Sequence, residues 1–233
     1  MNETVASMVT KGNRAADVGC DHGFVPIFLV ESGISPLAVA ADVRPGPLSR
    51  AKEHIKEHRL EEKIQTRLSD GLANIKPGEA DSLIMSGIGG ILMMRLLQDE
   101  EHTAKSFKEL ILSPQSELFD VRRYLVSNGY LIEYEHMLCD EGKYYFIFHV
   151  LVKKDEREWS EEEYRYGKDI CKDDMKTFLA YLEKEERQYE QILEKMKQAP
   201  ENDRAAQRIA QLHQDITCLK KRRQLVYDCG CFA

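Results

Sequence analysis

The sequence predicts an α/β fold, in which a mostly parallel seven-stranded sheet is followed by a long α-helical hairpin. Three observations lead to this prediction. Short apolar runs alternate with segments of helical periodicity as far as residue 129, and two of the runs end in glycine-rich turns. Beyond residue 163 the glycine turns give way to charged segments with heptad spacing. Strands that alternate with helices in this way form parallel sheets.

The length and charge of the chain limit the possible functions. With 233 residues, the chain suits one α/β domain, predicted at 1–153, and a helical appendage, predicted at 160–228. Its 33 Lys and Arg residues face 40 Asp and Glu residues, which gives a formal charge of -7. Because no basic field covers the whole protein, any contact with RNA must come from a local patch.

The cysteines and the hydropathy pattern favour a reduced, cytoplasmic protein. None of the six cysteines forms a C-x-x-C pair, so we expect no metal site. No apolar run reaches the ~18 residues of a membrane span, and we expect no membrane partner. We predict a monomer or a weak homodimer. The six cysteines are Cys20, Cys139, Cys171, Cys218, Cys229 and Cys231.

The stretch from Arg14 to Phe28 predicts a strand, a tight turn and a helix. A strand over 15–18 stops at Gly19, and a helix begins after Gly23. Since glycine has no β-carbon, the backbone can turn sharply there and a ligand can lie against it, facing the helix N-terminus. Such a loop suits a nucleotide or nucleoside, although a glycine turn can also serve only as a connection.

Two acidic residues indicate which ligand this loop holds. Asp17 lies two residues before Gly19, where a carboxylate would repel a pyrophosphate but could hold an amino group. Asp42 ends the next predicted strand, 37–42, in the position where a carboxylate binds ribose hydroxyls. Together these acids favour S-adenosyl-L-methionine over a dinucleotide.

The remaining elements of the first part follow in order. Their alternation, with a terminal hairpin in which the last strand inserts antiparallel, is typical of the class I (Rossmann-like) methyltransferase fold. The predicted helices are 4–9, 24–30, 47–59, 91–97 and 118–126, and the further strands are 63–68, 81–86, 109–113, 130–138 and 144–152.

Two later turns extend the predicted cofactor site, because ligands of open α/β sheets bind beyond the carboxyl ends of the strands. Asp70 and Gly71 follow the third strand, where they could meet an adenine or form only a turn. Ser86, Gly87 and Gly89 end the fourth strand, and this loop could meet the first glycine loop over one cleft.

Two heptad runs predict an antiparallel coiled-coil hairpin with Pro200–Asp203 between its helices. The hairpin could dimerise or support the first domain, or it could be an arm that grips a substrate. Cationic residues favour the arm, although such residues often form only a solvated face. The runs are Met175, Leu179, Leu182, Glu186, Tyr189, Leu193, Met196 and Ala205, Ile209, Leu212, Ile216, Leu219, Arg223, Val226; the candidate substrate-binding cations are Arg204, Arg208, Lys220, Lys221, Arg222 and Arg223.

Several stretches resemble the bacterial tRNA (adenine(22)-N1)-methyltransferase family, TrmK. They are AADVGCDHGFVPIFLV, AADVRPGPLSRA, SDGL, ADSLIMSGIGG and DEGKYYFIFHVLV. The resemblance implies S-adenosyl-L-methionine as cofactor and tRNA, methylated at N1 of adenine 22, as substrate. It also points to Asp21 as the catalytic carboxylate. Ile88 stands where the family usually has Met, and this change leaves the flanking glycines in place.

Asp21 lies between Gly19 and Gly23, where it could face the methyl donor and the base, or cap the following helix. Cys20, His22, Gly23 and Val43 complete the predicted cofactor site, and His22 could instead bond to backbone. Two alternatives stay open at this point. One is a methyltransferase for a small molecule or a protein, and the other is an inactive cofactor-binding scaffold that dimerises through its coiled coil.

Overall fold

A computed structural model describes residues 1–170, 172–197 and 203–228. Within these ranges, one sheet has the strand order β3-β2-β1-β4-β5-β7-β6. Strands β1 to β5 are parallel, and β7 is antiparallel to both of its neighbours. The predicted fold class is therefore confirmed. The strands are β1 Ala15–Val18, β2 Ala38–Asp42, β3 Ile64–Leu68, β4 Ser82–Ser86, β5 Glu109–Ser113, β6 Leu131–Asp140 and β7 Lys143–Leu151.

Helices cover both faces of the sheet. Helices α1 to α3 pack on one face, and α4 to α6 pack on the other together with the C-terminal helices. A short 3₁₀ helix at Lys172–Asp174 precedes α8. The α-helices are α1 Asn2–Ser7, α2 Phe24–Glu31, α3 Pro45–Glu57, α4 Gly90–Asp99, α5 Glu101–Ala104, α6 Leu118–Ser127, α7 Glu161–Tyr166, α8 Met175–Lys197 and α9 Asp203–Asp228.

The central strands are buried on both faces, which explains their continuous apolar runs. Successive residues of a strand point to opposite faces. Leu83 and Met85 of β4 accordingly pack among α4, α6 and the C-terminal helices, whereas Ile84 packs toward α1, α2 and α3. Two hydrophobic clusters thus hold the strands in a fixed register, and this register places the carboxyl ends of the strands at one edge.

The C-terminal helices form an antiparallel hairpin that shares the core of the first part. Glu186 of α8 pairs with Arg223 of α9, while Leu193 packs with Leu212, so the two helices run in opposite directions. Phe178 of α8 lies in the same hydrophobic cluster as the sheet. The predicted linker residues Pro200, Glu201 and Asn202 lie outside the described residues, as do Cys171, Cys229 and Cys231.

A buried ion pair fastens the C-terminal part to the sheet. Arg122 of α6 and Glu135 of β6 are fully buried, and their Nη2 and Oε2 atoms are 2.7 Å apart. Arg122 also donates to the carbonyl oxygens of Tyr164 and Arg165 in α7, at 3.1 and 2.9 Å. Because one guanidinium joins α6, β6 and α7, it fixes the position of α7 against the sheet.

Two short helices go beyond the sequence prediction. Helix α5 lies between α4 and β5. Helix α7 lies in the charged stretch that follows the hairpin of β6 and β7, and it begins with a capping box formed by Ser160 and Glu163. A Ser followed three residues later by Glu is the sequence signal for this start.

Candidate active site

A cavity of about 300 Å³ opens at the carboxyl ends of β1, β2 and β4. The turn that follows β1 forms one wall and the loop that follows β4 forms another. Most of the predicted cofactor-site residues line it, together with residues that were not predicted. The lining consists of Met1, Asn2, Asp17, Gly19, Cys20, Asp21, His22, Phe24, Val25, Asp42, Arg44, Ser86, Gly87 and Ile88.

Glycine is required in the first turn for two different reasons. Gly19 has a φ of +82°, a conformation that L side chains rarely adopt. Gly23 has a φ of +74°, and a Cβ there would lie 3.1 Å from Cβ of Ala51 in α3. The turn is tied to β2, since the amide groups of Gly19 and Cys20 donate to the carbonyl oxygen of Ala41 at 2.9 and 3.0 Å.

The two glycine loops meet over one cavity, as β1 and β4 are neighbours in the sheet. A Cβ on Gly19 would lie 3.7 Å from Cγ2 of Ile88, so the two loops are close neighbours. The amide of Gly87 donates to the carbonyl oxygen of Ser113 at 3.2 Å, and that of Gly90 donates to Oγ of Ser116 at 3.3 Å. The loop after β4 is therefore held by the last residue of β5 and by the turn that follows β5.

Three carboxylates converge on this cavity. Asp17 is 4% exposed, and its burial, reinforced by the charge of Asp42, raises the pKa of Asp17 to about 7. Asp42 is also buried and accepts from the backbone amides of Arg44 at 2.8 Å and of Asp21 at 3.3 Å. A cation that bound beside Asp17 would favour its ionised form.

Asp21 has a different environment, because its carboxylate is half exposed. Its backbone has a φ of 45°, which is unusual for a residue other than glycine. One carboxylate oxygen lies 3.3 Å from Nη2 of Arg50, and the other lies 3.5 Å from Nε2 of His22. Asp21 lines the cavity, and because its side chain is half exposed a ligand can reach it.

Two further side chains that line the cavity, Ser86 and Cys20, indicate which kind of ligand fits. The Oγ atom of Ser86 is buried and has no hydrogen-bond partner among the described residues, so a ligand group could satisfy it. Burial raises the pKa of the Cys20 thiol well above its ordinary value, which keeps it neutral and unreactive. Asp17 and Asp42 offer carboxylate oxygens as hydrogen-bond acceptors, and with the Ser86 hydroxyl they fit a ligand that carries an amino group and hydroxyls.

A cluster of three rings lies beside the cavity, and His22 is the one member that the sequence predicted. The rings of His22, Phe24 and His54 lie nearly parallel, with centroids 5.2 to 5.7 Å apart. Phe24 is 51% exposed although it begins α2. The sequence signal for a binding role of Phe24 is its place directly after the glycine turn.

Several predicted residues lie outside the lining of this cavity. Gly23, Val43 and Gly89 each follow a lining residue in the chain. Asp70 is exposed in the turn after β3, and a Cβ on Gly71 would clash with Leu96 of α4, so Gly71 serves close packing. Their role in cofactor binding stays a prediction.

The predicted cations of α9 fall into two groups. Arg204 and Arg208 are exposed near its start. Lys220 and Arg223 pair with Glu186 of α8, and Lys221 pairs with Glu162 of α7. Arg222 donates to the carbonyl oxygen of Lys168 at 3.0 Å. The second group therefore joins α9 to its neighbours, which favours the supporting role weighed for this hairpin.

Neither a metal cluster nor a membrane helix is found in the described ranges. No three His, Cys, Asp or Glu side chains are placed there to hold a metal ion together. Every helix in these ranges is too short or too polar to cross a membrane.

A parallel sheet closed by an antiparallel β7, with an acidic, glycine-lined cavity at the ends of β1 and β4, defines a class I S-adenosylmethionine-dependent methyltransferase. Residues 15–221 match the tRNA (adenine(22)-N(1))-methyltransferase family, TrmK, and the chain belongs to it.

Known relatives are similar to this chain over nearly its whole length. The tRNA (adenine(22)-N(1))-methyltransferase of Bacillus subtilis is 27% identical over 225 residues, which cover 94% of each chain. The crystal structure of TrmK from B. subtilis is similar with a TM-score of 0.84 and 26% identity, covering 95% of this chain and 97% of that one. A candidate tRNA methyltransferase from Streptococcus pneumoniae, solved with S-adenosyl-L-methionine, has a TM-score of 0.83 and 30% identity, with 95% and 97% covered.

Proposed function

We propose that this protein transfers the methyl group of S-adenosyl-L-methionine to N1 of adenine 22 in tRNA. The observation that carries the proposal is the meeting of two glycine loops and three carboxylates in one cavity, in a chain that belongs to this family. The activity named for the B. subtilis relative favours tRNA over a small molecule or a protein as the substrate.

The buried acids would hold the cofactor. Asp17, beside Gly19, would bind the amino group of its methionine part, and this contact would lower the raised pKa of the carboxyl. Asp42 would accept hydrogen bonds from the ribose hydroxyls, and Asp70 with Gly71 would meet the adenine. The free hydroxyl of Ser86 would supply a further polar contact. When bound, S-adenosyl-L-methionine supplies an activated methyl group on a cationic sulfur.

Asp21 would act on the target base. N1 of adenine has a free lone pair at neutral pH, so attack on the methyl group needs orientation more than a strong base. Transfer would break the bond between sulfur and the methyl group as the N1–C bond forms, so the positive charge would pass from the sulfonium to the purine ring. The carboxylate of Asp21 would stabilise that charge and accept a hydrogen bond from the exocyclic amine. Enzymes that methylate the exocyclic amine carry Asn/Asp-Pro-Pro-aromatic where this chain has Ser86-Gly87-Ile88-Gly89, which favours the ring nitrogen.

The exposed groups around the cavity would position the RNA. Phe24 offers an apolar ring face on which an extruded base can stack. We further propose the division into a catalytic domain, 1–153, and a helical domain, 160–228, whose exposed Arg204 and Arg208 meet tRNA phosphates. We also propose that the protein acts in the cytoplasm, where tRNA is found, as a monomer or a weak homodimer.

The test is incubation with labelled S-adenosyl-L-methionine and unmodified tRNA, followed by mapping of the product nucleoside. We expect 1-methyladenosine at position 22 and no product from a tRNA with guanine there. Asp21→Asn should lower kcat about a hundredfold at unchanged cofactor affinity, whereas Asp120→Asn, at an exposed acid of α6, should not. Another modified nucleoside or position would refute the proposal.

A further inference from the structure

The carboxylate of Asp21 lies close to two basic side chains. Nη2 of Arg50 lies 3.3 Å from its Oδ1 atom, and Nε2 of His22 lies 3.5 Å from its Oδ2 atom. The side chains of Asp21 and Arg50 are 53% and 49% exposed, so this ion pair lies at the solvent edge of the cavity. Exposed pairs of this kind contribute little stability and open readily.

Helix α3 fixes where Arg50 can reach. His54, one turn further along α3, has its Nδ1 atom 2.9 Å from the carbonyl oxygen of His22. Ala51 of the same helix packs against Gly23. The helix face that carries Arg50 and His54 is therefore seated on the turn after β1, while the guanidinium of Arg50 remains beside the entrance.

The ion pair between Arg50 and Asp21 is unfavourable for the proposed reaction. Methylation makes the purine ring cationic, and a guanidinium on the same carboxylate opposes a second positive charge there. Every nucleotide also brings a phosphate, and guanidinium binds phosphate through parallel hydrogen bonds. If Arg50 moved from the carboxylate to a phosphate, both anions would be paired and Asp21 could turn to the base.

We infer, on the basis of the proposed function, that Arg50 exchanges partners when RNA binds. In the free protein Arg50 pairs with Asp21. In the complex it binds a phosphodiester next to the target adenosine, and the released oxygen of Asp21 faces the purine. Arg50 is then an RNA-binding and positioning residue that couples seating of the nucleotide backbone to exposure of the carboxylate.

The first experiment measures the tRNA affinity of the full chain against salt concentration. Arg50→Ala should reduce the slope of log K against log salt concentration by about 0.7 to 0.9, the value for one phosphate contact. Arg50→Lys keeps the positive charge, so its slope should stay close to that of the wild type. Lys52→Ala is the matched control, because Lys52 is exposed on the opposite face of α3. Cofactor affinity should stay within about twofold in all three, which shows that the fold is intact.

The second experiment tests the exchange itself. Asp21→Asn releases Arg50 from its partner, so it should tighten tRNA binding about two- to fivefold, the range for one exposed ion pair. The gain should vanish when Arg50→Ala is also present. Equal effects of Asp21→Asn in both backgrounds, or the same slope change in Lys52→Ala, would overturn the inference.

Product analysis separates this inference from the proposed function. Normal 1-methyladenosine formation by the wild type, with an unchanged salt slope in Arg50→Ala, would overturn the role of Arg50 alone. An Arg50-dependent slope with no 1-methyladenosine would overturn the proposed function and leave Arg50 as an RNA contact.

Discussion

Replacement of Asp17 by Asn should stabilise the protein while it damages cofactor binding. The pKa of Asp17 rises from 3.8 to about 7 through burial and the nearby charge of Asp42. Between these two values the folded chain binds more protons than the unfolded chain, so the contribution of Asp17 to stability falls as pH rises. It is lost in full once pH exceeds about 7.

The size of the effect follows from the same shift. A tenfold change in an equilibrium constant is worth about 1.4 kcal/mol, so ionised Asp17 costs about 4 kcal/mol at pH 8 relative to the unfolded chain. At pH 5 the cost is about 2 kcal/mol, because Asp17 is already ionised in the unfolded chain whereas the folded protein must keep it protonated. Asn does not titrate. The stability advantage of Asp17→Asn should therefore grow by about 2.5 kcal/mol between pH 5 and pH 8.

The assay is urea denaturation of both proteins at several pH values, with Glu61→Gln as the control at an exposed acid. An advantage of Asp17→Asn that is the same at every pH would refute the reasoning. Calorimetric titration with S-adenosyl-L-methionine should show the opposite preference. Wild-type affinity should increase as pH rises through 7, whereas Asp17→Asn should bind at least about tenfold more weakly at pH 8 with a flatter pH dependence.

Three further substitutions test the scaffold by the free energy of unfolding. Arg122→Met should cost about 3 to 5 kcal/mol, since it leaves Glu135 buried without its partner, and the double replacement by Met should recover most of this loss. Burial raises the pKa of Glu109, but its hydrogen bonds outweigh burial and lower the pKa to about 2. The ionised carboxylate therefore contributes about 3 kcal/mol to the free energy of unfolding above about pH 4.5, and the wild type loses this contribution as pH falls from about 4.5 to 2. Glu109→Gln should remove this contribution at neutral pH. Gly23→Ala should cost about 1 to 2 kcal/mol through its positive φ and the close Ala51; an unchanged unfolding midpoint in any of these variants would contradict its assignment.

Local patterns were enough to predict the sheet and the first glycine turn. Gly19 and Asp42 each end a short apolar run, and strand ends are where a parallel sheet places its ligands. The heptads of α8 and α9 likewise predicted the hairpin, since apolar residues at that spacing form one seam.

Contacts between distant segments could not be predicted in this way. Arg50 and His54 reach the site because α3 packs on the turn after β1, and nothing in the local sequence of α3 shows this contact. The same holds for Lys221, whose charge is paired with Glu162 of another helix. A run of cations shows the charge of a segment, whereas the fold decides which of those charges are paired.

The central claim is that the cavity between the glycine loops holds the methyl donor beside Asp21. A crystal structure of the protein with S-adenosylhomocysteine tests it directly. We predict the amino group at Asp17, the ribose at Asp42, and the sulfur facing Asp21 between the loops that follow β1 and β4. Density for the ligand elsewhere, or a sulfur turned away from Asp21, would contradict the account.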